Sequence, residues 1–243
     1  MPFTGQTVVV TGGASGFGLG ISEKFAGHGA NVVIVDINTE LGEQTADNIQ
    51  RSKFIHCDVS SGQSVADLFR QLDRVDVLIN NAGITHSPAA IEDISEEDFD
   101  RVFSVNAKSV FLTSKYVIPK MKAAGHGVIL NIASTAGISP RPNLSWYNAS
   151  KGWMITATKS MAIELAPFNI RVNAVNPVAG ETPLLATFLG QDTPENRERF
   201  LSTIPLGRFS TPDDIANAAY FLCSKEADMI TGVAMEVDGG RCI

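Results

Sequence analysis

The sequence is poor in the residues that form disulfide bridges and metal sites. It has three cysteines and four histidines among 243 residues. An odd number of cysteines, widely spaced at Cys57, Cys223 and Cys242, is typical of reduced thiols, so we expect a cytoplasmic protein. The histidines do not have the spacing of metal ligands, so we expect no bound metal.

Blocks of positive charge and long apolar runs are also absent. The net charge is −7 and there is no basic run, which argues against nucleic acid as the main partner. No apolar stretch approaches the ~20 residues that cross a bilayer, so we expect no membrane partner. The segment Met1–Gly5 lacks the basic and apolar parts of a signal peptide, so we expect no leader.

The sequence does contain a regular alternation of strand-like and helical patterns. Seven strands are predicted, at Thr7–Thr11, Asn31–Val35, Phe54–Cys57, Val75–Ile79, Val128–Ile132, Arg171–Val175 and Val233–Val237. Helices are predicted between them, at Phe17–Gly27, Thr39–Ile49, Gln63–Leu72, Glu96–Met121, Tyr147–Leu165 and Asp213–Ser224. Apolar strands separated by helices predict an α/β fold, with a doubly wound, mostly parallel sheet covered on both faces. We expect one domain over residues 1–243, with residues 181–206 as a lid.

A glycine-rich turn follows the first predicted strand. Its glycines are Gly12, Gly13, Gly16 and Gly18, and an amphipathic helix pattern begins at Phe17. Glycines let the backbone approach a pyrophosphate, and the N–H groups and dipole of a helix N-terminus stabilise negative charge. The turn therefore predicts a phosphate cradle, although its spacing is not the common Gly-x-Gly-x-x-Gly and such turns can serve packing alone.

An acidic residue, Asp36, follows the second predicted strand. A carboxylate there can accept both hydroxyls of an adenosine ribose and repels a 2′-phosphate. Neither Ser15 in the glycine turn nor Ile37 offers a cation for such a phosphate. Asp36 could instead cap the next helix, as Asn38 or Thr39 could equally do. We expect the cofactor to be NAD rather than NADP.

Tyr147 and Lys151 form the pattern Tyr-x-x-x-Lys, and Ser134 lies upstream of them. Residues four apart on a helix project from the same face. A nearby ammonium favours the phenolate and lowers the tyrosine pKa from about 10, while a serine hydroxyl can hold a carbonyl or alcohol oxygen. The three side chains have the chemistry of a general acid/base acting on an alcohol oxygen, although the tyrosine–lysine pattern alone is common by chance.

Taken together, the motifs resemble the short-chain dehydrogenase/reductase family in its compact form, from Thr7 to Gly240. The matching residues are Thr11, Gly12, Gly16, Gly18, Asp58, Val59, Asn80, Asn81, Ala82, Gly83, Asn106, Ser134, Tyr147, Lys151, Asn176, Pro177, Thr182, Asp238, Gly239 and Gly240. The resemblance implies a Rossmann-type fold and an NAD-dependent enzyme that moves hydride between the nicotinamide and a substrate carbon.

The resemblance also implies roles for individual residues. Tyr147 would move the oxygen proton, Ser134 would orient that oxygen, and Lys151 would lower the tyrosine pKa and hold the nicotinamide ribose. Asn106, a poor helix former within a predicted helix, would complete a proton relay; a buried structural asparagine is the alternative. Cofactor contacts are implied at Gly12, Ser15, Gly16, Phe17, Gly18, Asp36, Ile37, Asp58, Val59, Asn81, Ala82, Gly83, Tyr147, Lys151, Pro177, Gly180 and Thr182.

The family pattern is broken after the sixth strand, where Pro177 is followed by Val178 rather than glycine. The valine adds bulk beside the nicotinamide, which leaves the shape of the local pocket open, while Thr182 is placed to meet the carboxamide. We expect the loops Thr85–Ala90, Ser139–Ser145 and Thr182–Phe188 to line the substrate pocket. Arg141 could bind a substrate carboxylate, but we interpret it as a solvated surface charge.

The motifs indicate the type of reaction more specifically than they indicate the substrate. We expect a secondary alcohol or ketone; a 3-oxoacyl thioester and a glucose-type sugar are alternatives within the family. A non-catalytic NAD-sensing regulator would be expected to lack Tyr147 or Lys151. An extended epimerase or dehydratase would need a larger C-terminal domain than the 61 residues after Thr182.

The predicted helix Tyr147–Leu165 is apolar or small almost all round, whereas the outer helix of a monomer has a polar outer face. The excess apolar surface predicts burial against a matching helix about a two-fold axis. The segment 237–243 would pack across a second axis, as in tetrameric members of the family. We therefore expect a homotetramer, with a dimer as the fallback.

Overall fold

The computed structural model describes residues 1–243 and places seven strands in one sheet. The strands are β1 (Thr7–Thr11), β2 (Asn31–Asp36), β3 (Ser52–His56), β4 (Val77–Asn80), β5 (Gly127–Ile132), β6 (Ile170–Pro177) and β7 (Ala234–Val237). Their order is β3-β2-β1-β4-β5-β6-β7, and every neighbouring pair is parallel. The predicted doubly wound α/β fold is confirmed.

Helices cover both faces of this sheet. They are α1 (Gly16–Gly27), α2 (Thr39–Asn48), α3 (Gly62–Arg70), α4 (Glu96–Phe103), α5 (Ser109–Ala124), α6 (Ser145–Leu165), α7 (Leu185–Leu189), α8 (Pro194–Leu201) and α9 (Pro212–Cys223). One apolar layer contains residues of α1 and α9, and the other contains residues of α3, α5 and α6. None of the helices is both long and apolar enough to span a membrane.

Strand β1, inside the sheet, is an apolar run at its centre. Val8 and Val10 are buried in the layer with α1 and α9, while Val9 is buried in the opposite layer. Because successive side chains of a strand point to opposite faces, a strand covered on both sides is apolar at successive positions wherever no buried polar partner is available.

The predicted helix Glu96–Met121 is interrupted. A π-helical turn, Ser104–Lys108, separates α4 from α5. Asn106 in this turn is fully buried, and its side chain donates to Ile84 O and accepts from Ile84 N, both at 2.9 Å. A π-turn inserts one residue into the helix. The prediction of one continuous helix is wrong. The helix is interrupted where Asn106 bonds to the loop after β4, and the apolar pattern of the sequence gives no sign of that contact.

The fourth strand begins two residues later than predicted, at Val77 rather than Val75. Asp76 lies before it, where its carboxylate accepts hydrogen bonds from Thr7 N at 2.8 Å and Arg74 Nε at 2.8 Å. Its backbone also bonds to both neighbouring strands, from Asp76 N to Thr7 O at 2.9 Å and from Val128 N to Asp76 O at 3.0 Å, so side-chain and backbone bonds together define the entry to β4.

A buried polar network joins β4 to β5. Asn80 Nδ2 donates to Asn131 Oδ1 at 2.9 Å, across a register in which the two residues are direct neighbours. Thr113 of α5 donates to Asn80 Oδ1 at 2.8 Å, and Asn131 Nδ2 donates to Thr158 of α6 at 2.9 Å. The network therefore fixes two strands and two helices to one another.

The segment 181–206 contains the short helices α7 and α8 and packs over the end of β6. Leu185, Phe188, Phe200 and Ile204 of this segment are buried in a cluster that also includes Tyr147. This apolar contact holds the segment against the N-terminal part of α6.

Candidate active site

Two contiguous clefts lie at the carboxyl edge of the sheet, where the strand order reverses between β1 and β4. Open α/β sheets bind ligands at this position. The larger cleft has a volume of about 630 Å³ and the smaller one about 90 Å³. They share the lining residues Phe17, Asn81, Gly83, Thr182 and Leu184.

The glycine turn forms one wall of the larger cleft. Gly12 and Gly16 have φ values of 61° and 52°, in the left-handed region that favours glycine. A Cβ atom at Gly18 would lie 2.0 Å from Gly12 O. The N-cap of α1, Ser15, makes no side-chain capping bond, so the first N–H groups of the helix are available to an anion. The turn thus fits a pyrophosphate.

Asn81 holds the glycine turn in place from the loop after β4. Its Nδ2 donates to Thr11 O at 2.9 Å and to Gly12 O at 3.0 Å. Thr11 Oγ1 in turn accepts from Asn81 N at 3.0 Å and from Ala82 N at 3.1 Å. The side chain of Asn81 therefore positions the turn.

The far end of the larger cleft is lined by Asp36 and Asp58. Asp36 accepts from Ala14 N at 3.3 Å, whereas the cap of α2 is Asn38, whose side chain accepts from Leu41 N at 3.0 Å. The alternative role of Asp36 as a helix cap is thus taken by Asn38. Ile37 and Val59 line the same end, and the single cation of the lining, Arg101, is paired with Asp98.

Tyr147 lies in the smaller cleft, with only 5% of its surface exposed. Burial raises the pKa of Tyr147; the Ser134 hydroxyl and then the charge of Arg141 act in the opposite direction with smaller effect. Ser134 Oγ accepts a hydrogen bond from Ala136 N at 3.1 Å. That bond fixes the hydroxyl oxygen and leaves its proton free to donate to a ligand oxygen.

Lys151 is one helical turn after Tyr147 and is also buried. Its Nζ donates to Ile132 O at 2.9 Å and lies 6.0 Å from the centre of the Tyr147 ring. Burial lowers the pKa of Lys151 to about 8, so the ammonium predominates at neutral pH. In the free protein burial dominates the tyrosine pKa, whereas the sequence suggested that the lysine would lower it.

Asn106 and Lys151 approach each other beside Gly83. A Cβ atom at Gly83 would lie 3.3 Å from Lys151 Nζ and 3.5 Å from Asn106 Oδ1. Asn106 Nδ2 bonds to Ser150 Oγ at 3.0 Å as well as to Ile84 O. Because both amide protons are used, the Asn106 side chain connects α6 to the loop after β4.

The residues after β6 close the junction between the clefts. Pro177, Val178, Gly180 and Thr182 all line the smaller cleft, and Val178 is buried there, so its bulk does shape the pocket. A Cβ atom at Gly180 would lie 2.3 Å from the ring of Phe17. The absence of a side chain at Gly180 therefore lets Phe17 pack between the glycine turn and this loop.

Of the three loops expected to line the substrate pocket, Thr182–Phe188 lines the smaller cleft. The loops Thr85–Ala90 and Ser139–Ser145 are joined by a hydrogen bond from Ala89 N to Asn143 O at 3.1 Å, and their place in the substrate pocket stays a prediction. The smaller cleft is also lined by Ala133 and Ala179, which the sequence analysis did not name; nothing in their local pattern distinguishes them from core residues.

Arg141 is half-buried rather than a fully solvated surface charge. Its guanidinium lies 4.5 Å from the ring centre of Phe188 and 4.7 Å from that of Phe200. Burial, with the nearby charges of Arg241 and Arg199, lowers the pKa of Arg141 to about 10.

Comparison with known proteins agrees with this geometry. The family model described as enoyl-(acyl carrier protein) reductase matches residues 4–241. The chain is 46% identical to 4-formylbenzenesulfonate dehydrogenase of Comamonas testosteroni, covering 98% of each sequence. It is 40% identical to cyclopentanol dehydrogenase of Comamonas sp. (strain NCIMB 9872), covering 97% of this chain and 96% of the relative.

A solved structure has the same fold throughout. It is that of 3-ketoacyl-(acyl-carrier-protein) reductase from Brucella melitensis complexed with NADH, 47% identical, with a TM-score of 0.93 and 99% of each chain covered. The match extends over all the elements that build the two clefts. The chain therefore belongs to the short-chain dehydrogenase/reductase family of oxidoreductases.

Proposed function

We propose that this oxidoreductase transfers hydride between NAD(H) and a secondary alcohol or ketone, with Tyr147 as the general acid/base. The observation that carries the proposal is that Tyr147, Ser134 and Lys151 line one narrow cleft. That cleft opens into the larger one beneath the glycine turn. The relatives named as dehydrogenases and the neighbour complexed with NADH support it.

The larger cleft fits a dinucleotide. The glycine turn and the start of α1 would hold the pyrophosphate, Asp36 the adenosine ribose, Asp58 and Val59 the adenine, and Thr182 the carboxamide. When bound, the nicotinamide gives or accepts the hydride.

The residues of the smaller cleft transfer the proton to or from the substrate oxygen. Because burial keeps the pKa of Tyr147 above its usual value, the neutral phenol predominates at neutral pH and donates its proton to a carbonyl oxygen. Ser134 donates a hydrogen bond to the same oxygen, and the Lys151 ammonium stabilises the phenolate that remains. In the direction of alcohol oxidation Tyr147 must first lose its proton, so oxidation increases with pH.

A screen of alcohols and ketones that follows NADH absorbance tests this proposal. It includes a 3-oxoacyl thioester and a sugar, because relatives of both the dehydrogenase and the 3-oxoacyl reductase type match the chain. We expect turnover of at least one secondary alcohol or ketone with NAD(H). Tight binding of NADH without turnover of any compound would instead indicate a regulator.

Cofactor preference is expected to depend on Asp36. Replacing Asp36 by Ala and Ile37 by Arg removes the carboxylate that would face a 2′-phosphate and adds a cation. We expect the preference for NAD(H) over NADP(H), measured as the ratio of kcat/KM values, to fall by about 100-fold, or ~3 kcal/mol. Asp47→Ala, on the exposed side of α2, is the control. Equal turnover of both cofactors by the unchanged protein would contradict the role of Asp36.

Three further properties belong to the proposal. The chain acts as one domain in which residues 181–206 form a lid, supported by their packing on Tyr147. The protein is cytoplasmic, supported by three free thiols, of which Cys57 and Cys223 are buried. It assembles as a homotetramer, with a dimer as the fallback.

The assembly is supported by apolar residues that remain exposed on α5 and α6. Phe111 is 56% exposed, Trp153 41% and Ile163 78%. We expect light scattering at micromolar concentration to give four times the chain mass of 25.9 kDa, and Ile163→Glu to reduce it by placing a charge in the contact. Lys225→Glu, at an exposed position outside α5 and α6, tests whether charge alone matters. A monomeric mass for the unchanged protein would contradict the proposal.

A further inference from the structure

A buried serine that lines neither cleft, Ser210, bonds to the loop after β6. Only 5% of its surface is exposed. Its hydroxyl donates to Val178 O at 3.1 Å, its N–H donates to Ala179 O at 3.2 Å, and its carbonyl accepts from Glu181 N at 3.0 Å. Because the side chain and both backbone groups of this one residue bond to the loop, Ser210 fixes the course of residues 178–181.

Gly180, in the middle of this loop, is enclosed from two sides. A Cβ atom there would lie 2.8 Å from Ser210 Oγ and 2.3 Å from the ring of Phe17. Phe17 belongs to the first turn of α1, directly after the glycine turn. The missing side chain allows contact on both sides, so the loop is packed between Ser210 and the helix N-terminus that would hold the pyrophosphate.

The same loop brings Thr182 to the junction of the two clefts. Thr182 lines both clefts, and a Cβ atom at Gly16 would lie 3.2 Å from Thr182 Cβ. Thr182 N donates to Gly180 O at 2.8 Å, so its position follows that of the enclosed glycine. A shift of the loop at this glycine would therefore move Thr182 relative to the glycine turn.

The chain on either side of Ser210 is anchored at the start of α9. Thr211 is the N-cap of that helix, and its side chain and backbone N–H donate to the Asp214 carboxylate at 2.9 and 2.8 Å. Arg208 donates to the two oxygens of the same carboxylate at 2.6 and 2.9 Å. The capping box and the ion pair hold the segment that presents the Ser210 hydroxyl to the loop.

We propose that Ser210 is a positioning residue for the nicotinamide end of the cofactor and acts through the loop after β6. This inference rests on the proposed function, in which Thr182 meets the carboxamide and the glycine turn holds the pyrophosphate. Ser210 keeps Thr182 beside the glycine turn, so that both parts of one cofactor are held together. The residues assigned to the adenosine end, Asp36 and Asp58, do not belong to this loop.

A comparison of the whole cofactor with a fragment that lacks the nicotinamide tests the inference. The probes are NADH and ADP-ribose, which retains the adenosine, the pyrophosphate and the second ribose. We expect Ser210→Ala to weaken NADH binding by about 10-fold, because the Val178 carbonyl loses its buried donor and the loop shifts. The Kd of ADP-ribose should remain nearly unchanged. Isothermal titration calorimetry measures both constants.

Two further variants separate this role from a general effect on the fold. In a double-mutant cycle, the effects of Ser210→Ala and Thr182→Ala on NADH binding should not add, because one residue acts through the other. Ser202→Ala is the matched control. Ser202 also donates to a backbone carbonyl, Arg199 O at 2.8 Å, but it is exposed, and its replacement should leave NADH binding unchanged.

The outcomes that overturn the inference are distinct from failure of the proposed function. Equal weakening of NADH and ADP-ribose would show that Ser210 supports the cleft as a whole. Additive effects in the cycle, or full NADH affinity in Ser210→Ala, would equally reject the role. Binding requires no turnover, so a selective loss of NADH affinity in a protein that converts no alcohol or ketone supports the role of Ser210 and rejects the proposed function.

Discussion

Replacing Tyr147 by phenylalanine should lower kcat by about 1000-fold, the contribution expected of a general acid/base. The substitution removes only the phenolic oxygen, and no other titratable side chain except Lys151 lines the smaller cleft. The ring is retained, so the edge-to-face contact with Phe188 and the packing of residues 181–206 should persist. Steady-state kinetics with the best substrate of the screen, followed by NADH absorbance, provide the measurement.

The same variant should bind the cofactor nearly as well as the unchanged protein, because the glycine turn and Asp36 lie outside the substitution. Titration of NADH fluorescence measures this. Tyr116→Phe is a matched control on α5, since it removes a phenolic oxygen outside both clefts. Near-normal kcat in Tyr147→Phe would disprove the acid/base role.

Replacing Lys151 by methionine should damage catalysis and stabilise the free protein at the same time. We expect kcat to fall by about 100-fold and NADH binding to weaken, because this side chain would serve both the phenolate and the nicotinamide ribose. Yet the buried ammonium has a folded pKa of about 8 against an ordinary value of 10.5. Its removal should therefore raise the free energy of unfolding at pH 7 by up to about 3 kcal/mol, less the hydrogen bond to Ile132 O.

The pH dependence of this effect has a definite sign. The unfolded chain holds the Lys151 proton more tightly than the folded protein, so the penalty is fully present below pH 8. It declines as pH rises from about 8 toward 10.5, and the stability difference between Lys151→Met and the unchanged protein should narrow over that range. Urea unfolding at several pH values measures the difference. Lys225→Met, at an exposed position outside α5 and α6, is the control, and a destabilised Lys151→Met protein with normal turnover would contradict both expectations.

The sheet and the glycine turn could be predicted because their signals are local. Strand β1 is apolar at successive positions, as burial on both faces requires, and Gly12, Gly16 and Gly18 follow it directly. The position of Asp36 at the end of β2 could be predicted because the apolar run of that strand ends at Val35. In these cases the residues of a short segment are enough to determine its conformation.

Other features depend on contacts between distant segments. Asn106 could be noticed as a poor helix former, but its bonds to Ile84 and Ser150 could not be foreseen from the helix pattern. The environment of Arg141 is set by Phe188, Phe200 and Arg241, which lie in other segments. Its partial burial could therefore not be predicted from the sequence.

The amide link between Asn80 and Asn131 has a consequence for how accurately the catalytic groups are placed. A shift of β5 by one residue against β4 would turn Asn131 to the other face of the sheet and leave buried amide and hydroxyl groups unpaired, at about 1–3 kcal/mol each. Ser134 follows β5 and the loop containing Gly83 follows β4, so any slippage between these strands would carry the reacting groups apart. The misaligned sheet is thereby disfavoured before any ligand is present, and the distance between Ser134 and the loop after β4 is set by two buried asparagines that line neither cleft.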